Sequence, residues 1–419
     1  MSHQSPFHLL LKKTVLLLAL LRCLPLPAQS LEPEARMPPE DYNLVLGTNS
    51  FYASYQHTKD TKIMEQANQT RNMGSNILKF AVSTKALKDY GIADSAIEDI
   101  MDVVSLMPDY QKSFDMDFTY YFMWLHTATG IKWKKGINTT QEKLLYEEMY
   151  DFASHLLSTY DNTGKVFFIG NWEGDWLLLR KGKNTPPPTE AEIQNMIRWF
   201  QIRQRAIDDA KKATKHKNVA IYHYIEVNLA LRGLENKPCV TKDVLPFVNV
   251  DFVSYSSYET TKRKTYQANK DALQKAVTYI EQQMQPKQGL PFSRRVFIGE
   301  YGEHATKSRP DSFRRQFANT KEIMQIALEL DLPFALYWNM YNNEYTDEGD
   351  SKNMSLINEQ GQKRPAYHLH QRYYRDLNNY LREYHQQNHA YPSHKRFKTK
   401  ALSVLETIYA ELLAEYFPK

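Results

Sequence analysis

VFFIGNWEGDW, residues 166–176, is the stretch that decides how this chain is read. Val166 to Ile169 are apolar without alternation, the pattern of a strand buried on both faces in a parallel sheet covered by helices. At Gly170 the run breaks into Asn171, Trp172, Glu173, Asp175 and Trp176, polar and aromatic groups set where such a strand ends. RVFIGEYG at 295–302 repeats the arrangement: an apolar run, a glycine, then Glu300. In an α/β barrel the chemistry sits at the C-terminal ends of the strands. Two carboxylates, each at the mouth of a buried strand, are therefore the feature to explain.

Six further runs share the strand character: YNLVLGTNSF (42–51), NILKFAVS (76–83), FTYYFMWLHT (118–127), VAIYHYIEVN (219–228), VDFVSYSSYE (250–259) and FALYWNM (334–340). Helical patterns lie between them. Residues 139–160 carry Leu145, Met149, Phe152 and Leu156 at helical spacing, and Thr189 with Glu192 forms a capping box before Ile193, Ile197 and Phe200. A helix around 268–284 follows the sixth strand, and Asp311 or Ser312 can cap the next. Strands alternating with helices imply right-handed β-α-β units and a parallel sheet. Eight of them predict an α/β fold of the (β/α)8 TIM-barrel type over residues 31–366. From 367 to 419 the chain turns polar, aromatic and helical. Its last stretch, 401–417, places Leu402, Leu405, Ile408, Leu412 and Tyr416 near one face, which predicts a helical extension packed on the barrel.

Composition narrows the class. A chain of 419 residues with 42% hydrophobic and 24% charged residues is ordinary globular protein. The net charge of +5 is spread along the sequence and thickens only at HKRFKTK (394–400), so no basic, aromatic-interleaved nucleic-acid module is read. Aromatics reach 13%, with 28 Tyr, enough to line a cleft for flat ligands as well as a core. At the N-terminus Lys12 and Lys13 precede the apolar stretch Thr14–Leu21, and Pro-Ala-Gln-Ser follows at 27–30. That order predicts a secretory signal over 1–30 and a secreted or periplasmic protein, with no stable membrane insertion. Cleavage near Ser30 would remove Cys23 and leave Cys239 alone, without an intramolecular disulfide.

The strand-end groups are Asn49, Lys79, His126, Asn171, Glu173, Glu226, Tyr255, Tyr258, Glu300, Trp338 and Asn339. Glu173 ends the fourth strand and Glu300 the seventh. Here the sequence resembles clan A, the cellulase-like retaining glycoside hydrolases on (β/α)8 barrels, over roughly residues 43–345. The resemblance implies Glu173 as general acid/base and Glu300 as nucleophile, with no cofactor and a carbohydrate substrate. It also implies that His126 lines the site and that Tyr258 or Tyr255 hydrogen-bonds the nucleophile. Trp338, beside Asn339, would serve as the sugar platform of the eighth strand. In the clan an Asn directly precedes the acid/base. In this chain Trp172 separates Asn171 from Glu173, which bears on the Asn171 contact to sugar and leaves Glu226 as a rival acid.

The chemistry stands beside the resemblance. Glycoside cleavage needs one carboxyl that stays protonated and a second that stays ionised. Strands four and seven face each other across an eight-stranded barrel, so Glu173 and Glu300 can converge, with Trp172, Trp176 and Trp338 as aromatic faces. Bland readings compete. Either glutamate can pair with Lys79, Asp175 can cap the segment that follows, and Trp172 and Trp176 can be loop anchors. No second His stands at ligand spacing to His126, so no metal is expected there. The alternative function is a non-catalytic carbohydrate-binding barrel, or a secreted interaction protein using its C-terminal helices.

Overall fold

A computed structural model describes residues 46–50, 53–85, 87, 91–93, 96–182, 186–306, 309 and 311–418; the expected secretory segment lies outside them. All eight strands form: β1 (Leu46–Thr48), β2 (Ile77–Val82), β3 (Tyr120–Leu125), β4 (Val166–Gly170), β5 (Ala220–Val227), β6 (Phe252–Ser256), β7 (Val296–Tyr301) and β8 (Ala335–Tyr337). Neighbours pair in parallel in the order β1-β8-β7-β6-β5-β4-β3-β2, and an isolated bridge from Asn49 to Lys79 brings the two ends of the sheet together. The result is a near-closed (β/α)8 barrel.

Helices follow each strand. They are α1 (Lys62–Asn72), α2 (Ile100–Leu106), α3 (Pro108–Asp115), α4 (Thr139–Thr159), α5 (Gly174–Leu178), α6 (Glu190–Ala213), α7 (Ala230–Leu234), α8 (Val240–Asp243), α9 (Tyr266–Gln283), α10 (Ser312–Glu329), α11 (Pro365–Asn388) and α12 (His394–Tyr416). The Thr189–Glu192 capping box forms at the start of α6, and Asn138 with Gln141 makes another at α4. Asp311 precedes α10 in a helical backbone conformation without a side-chain capping bond, and Ser312 turns its hydroxyl back to the Thr306 carbonyl.

Period-two alternation divides the strand residues between two cores. Outward-facing Tyr121, Met123, Phe167, Ile169 and Ile221 pack against Phe152 and Leu156 of α4 and Ile207 of α6. Inward-facing Tyr120, Phe122, Phe168, Phe252, Phe297 and Phe334 fill the barrel, Phe122 and Phe168 stacking with centroids 4.4 Å apart. Much of the aromatic content is thus barrel filling rather than cleft lining. The filling is tight: a Cβ on Gly170 would lie 2.2 Å from the Tyr224 ring.

Helix α11 buries Tyr367, His370, Tyr373 and Tyr374, with the His370 ring 5.8 Å from that of Tyr337 in β8. It occupies the place of the eighth barrel helix, so the expected 366/367 boundary falls inside α11. Helix α12 lies across α10, burying Leu405, Ile408 and Leu412 and setting Tyr409 5.1 Å from Phe317, while Tyr416 stays exposed. No helix among the described residues is long and apolar enough to cross a membrane. Cys239 is buried and free.

Candidate active site

The alternation that fills the barrel with phenyl rings also sends Lys79, Trp124, Glu226 and Ser254 inward, one layer below its mouth. Lys79 Nζ lies 2.9 Å from Glu226 Oε2, and neither side chain has any exposed surface. The same oxygen accepts the Trp124 indole N–H at 3.1 Å and the Ser254 hydroxyl at 3.0 Å, while Lys79 also donates to the Gly299 carbonyl at 3.0 Å. Glu226 Oε1 accepts the backbone N–H of Glu173 at 3.3 Å. Glu226, weighed as a rival acid and sugar contact, is therefore a buried hub that joins β2, β3, β5 and β6 beneath the site. Lys79, an available partner for Glu173 or Glu300 by sequence, is committed to it.

Asn171 belongs to the same framework. Its Oδ1 accepts the Glu226 backbone N–H at 3.1 Å and its Nδ2 donates to the Trp172 carbonyl at 3.2 Å. The extra residue Trp172 thus leaves Asn171 buried and bracing the hub. Trp172 itself is half-buried against the inner core.

Glu173 stands above the hub, at φ +22°, a conformation that L residues rarely adopt and that recurs at functional sites. Asn228 donates to its Oε1 at 2.8 Å, and the Trp176 side chain also hydrogen-bonds the carboxyl. Burial, then the charge on Glu226, pushes Glu173 up to about 8. Asp175 is structural: fully buried, it accepts backbone N–H groups of Asn228 (2.7 Å), Leu229 (3.1 Å) and Val240 (2.8 Å), pinning the loop after β5 under Glu173.

Glu300 reaches the mouth through an irregularity. Tyr255 pairs with Ile298, but Ser256 pairs with Glu300, so Gly299 is skipped. Strict alternation from inward Phe297 would send Glu300 outward; the bulge turns it in, a re-aiming that bulges beside active sites perform. Only glycine fits at the slip, since a Cβ there would sit 1.7 Å from Ser254 Oγ. Glu300 Oε2 accepts the Tyr258 hydroxyl at 3.3 Å, whereas Oε1 is buried without a hydrogen-bond partner. Burial, followed by the charges of Glu226 and Glu173, holds the carboxyl well above its ordinary range, while Lys79 opposes the shift. Each of the two carboxyls resists ionisation more when its neighbour is charged.

Of the two tyrosines expected near the nucleophile, Tyr258 is there and Tyr255 is not. Tyr255 faces outward from β6, fully buried, and donates to Glu259 at 2.9 Å. His126 is exposed at the end of β3; crowding in the cleft, then the Arg203 and Lys85 charges, lowers it to about 4 and keeps it neutral. Trp338 caps the inner core 5.9 Å from the Trp124 ring, its indole donating to Glu344 at 2.7 Å. Asn339 is buried and donates to Asn343 at 2.9 Å, away from the carboxyls. Sequence reasoning missed Asn228, Ser254, Glu344 and its partner Lys352 (2.9 Å). The first two were within reach, because Ser254 shares the parity of Phe252 and Asn228 directly follows β5. Glu344 and Lys352 lie in an irregular loop with no periodic signal. Among the described residues no group of three or more His, Cys, Asp or Glu is arranged to hold a metal ion.

No family model matches the sequence, and no curated protein does. Solved structures do. Bacteroides uniformis β-glucuronidase 2 aligns with 80% of this chain and 35% of its own length, at 11% identity and TM-score 0.50. For Bacteroides uniformis β-glucuronidase the figures are 81%, 37%, 10% and 0.50. The catalytic core of a xylanase A aligns over 77% of this chain and 96% of its own, at 14% identity and TM-score 0.48. The chain spans about a third of the length of the glucuronidases it matches. The expected likeness to barrel glycoside hydrolases is thus present at the level of the fold, and a barrel hosts many chemistries.

Proposed function

We propose that the chain is a glycoside hydrolase acting on an oligo- or polysaccharide by a retaining, two-carboxylate mechanism. The observation that carries this reading is the pairing of Glu173 and Glu300: two carboxyls from opposite strands, mutually repelling, one carrying a buried oxygen without a partner. A group raised to about 8 is a proton donor at neutral pH, the property a general acid needs. In this mechanism the pair gives up one proton, and Glu300 is the ionised member, the Tyr258 hydroxyl and the Lys79 charge favouring its carboxylate. Its Oε1 attacks the anomeric carbon as the glycosidic C–O bond breaks, and Glu173 gives the remaining proton to the departing oxygen. Water then enters, Glu173 takes its proton, and the hydroxide displaces Glu300 from the sugar, restoring both groups. Tyr258 steadies the Glu300 carboxylate through its O–H. Neutral His126 and the faces of Trp172 and Trp338 are the proposed sugar contacts. The charged-then-apolar N-terminus supports action outside the cytoplasm, checked by sequencing the mature N-terminus after expression.

The test is a panel of aryl glycosides and plant, fungal and bacterial polysaccharides offered to wild type, Glu300→Gln and Glu173→Gln. Glu300→Gln is expected to lose turnover by at least about a thousandfold. Glu173→Gln is expected to retain activated aryl substrates, whose leaving groups need no proton. Full activity in Glu300→Gln removes the nucleophile assignment. A folded wild type that binds glycans and cleaves none makes the chain a binding barrel.

A further inference from the structure

We propose that the rim formed by the loops after β6, β7 and β8 is a subsite for an anionic group on the sugar, a uronate carboxylate or a sulfate ester. The inference rests on the carbohydrate reading of the same cleft. Lys262, in the loop after β6, is exposed and holds its ammonium 5.3 Å from the centroid of the Tyr258 ring. That ring's hydroxyl is the one bonded to Glu300, so Lys262 stands one aromatic ring away from the reacting carboxylate.

The charges around it do not cancel. Lys262 feels Glu303, Glu344 and Lys352. Both acids are already engaged: Glu303 pairs with Arg315 at 2.6 Å, and Glu344 takes Lys352 at 2.9 Å and the Trp338 indole at 2.7 Å. Among the described residues Lys262 itself has no ion pair or hydrogen bond, only the tyrosine face beneath it. His304, exposed in the loop after β7, interacts with Lys262, Lys352 and Glu344 and adds a neutral N–H donor. Crowding at the rim draws Lys262 below the ordinary lysine range; the charges of Glu303 and Glu344 oppose that shift and the Lys352 charge adds to it. A solubilising lysine stands free in water. This one is held over the site, where an anion from substrate supplies the missing partner through charge-assisted hydrogen bonds.

Binding is measured calorimetrically on Glu300→Gln, with and without Lys262→Gln or Lys262→Arg. The probes are polygalacturonate and alginate oligomers, sulfated agar oligomers, and size-matched neutral dextran and cellulose oligomers. Lys262→Gln is expected to weaken an anionic probe about tenfold, leave neutral probes unchanged and lose the salt dependence of binding, with Lys262→Arg restoring both. Preference between the uronate and sulfated probes assigns the group. Equal binding of anionic probes by Lys262→Gln and its parent overturns the subsite, as does preference for neutral probes. The two readings separate: Lys262-dependent binding without turnover keeps the subsite and removes the hydrolase, while charge-indifferent turnover does the reverse.

Discussion

Replacing Lys79 with methionine isolates what the buried ion pair does. The substitution keeps the length of the side chain and removes the ammonium 2.9 Å from Glu226, in a place where neither residue has any exposed surface. Breaking a buried pair by removing one partner costs about 3–5 kcal/mol, because a buried charge is left uncompensated. The variant can escape by protonating Glu226. For an ordinary glutamic acid, with midpoint near 4.3, taking up a proton at pH 7 costs about 3.7 kcal/mol, inside the same range. Trp124 and Ser254 still donate to Oε2 and trim the loss slightly. The sign with pH follows. The folded variant holds a proton that the unfolded chain releases above about 4.3, so its stability recovers as pH falls, and at pH 5 the deficit shrinks to about 1 kcal/mol. Urea unfolding of wild type and Lys79→Met at pH 7 and pH 5 measures both figures. The double variant Lys79→Met/Glu226→Gln should recover most of the loss at pH 7. A deficit equal at the two pH values, or double-variant losses that simply add, would refute the reasoning.

Three further outcomes are expected. Gly299→Ala should cost more than about 3 kcal/mol, since its methyl group would overlap Ser254 Oγ, and adding Ser254→Ala should recover part of that, read by thermal unfolding. Tyr258→Phe removes the hydroxyl 3.3 Å from Glu300; kcat/KM should fall about tenfold and the acidic limb of the pH profile should move up, with Tm nearly unchanged. Folded Glu173 holds its proton to about 8, whereas the unfolded residue releases it near 4.5, so wild-type stability declines as pH rises between those values. Glu173→Gln, which has no proton to hold, should match wild type near pH 4.5 and exceed it at pH 8 by on the order of 2–4 kcal/mol, while losing cleavage of substrates with poor leaving groups.

The strand plan was legible because parallel strands buried on both faces read as unbroken apolar runs, and each of the eight forms where its run lies. The two carboxylates were legible as candidates because each lies close behind such a run, Glu173 beyond Asn171 and Trp172 after β4 and Glu300 next to Gly299 within β7. What sequence left open was which side of the sheet a group faces and what waits there. Glu226 and Lys79 are 147 positions apart, and only strand parity, counted from inward Ile77 on β2 and inward Tyr224 on β5, turns both into the barrel. The same parity turns Tyr255 away, and Tyr258 stands beside Glu300 through a 3-10 turn that no periodicity announces. Strict counting along β7 gives the wrong face for Glu300, and the slip at Gly299 depends on a partner strand. Lys262, Glu344 and Lys352 sit in loops, where position follows from tertiary packing rather than from local pattern.

The slip at Gly299 has an evolutionary side. A chain of this kind can gain or lose its reactive centre without replacing any side chain at it. Were Ser256 to pair with Gly299 instead, β7 would run without the slip, Glu300 would turn to the helix-facing side of the wall, and the aromatic mouth and the Lys262 rim would be left standing. One step of strand register would separate a cutting protein from a holding one built on the same barrel.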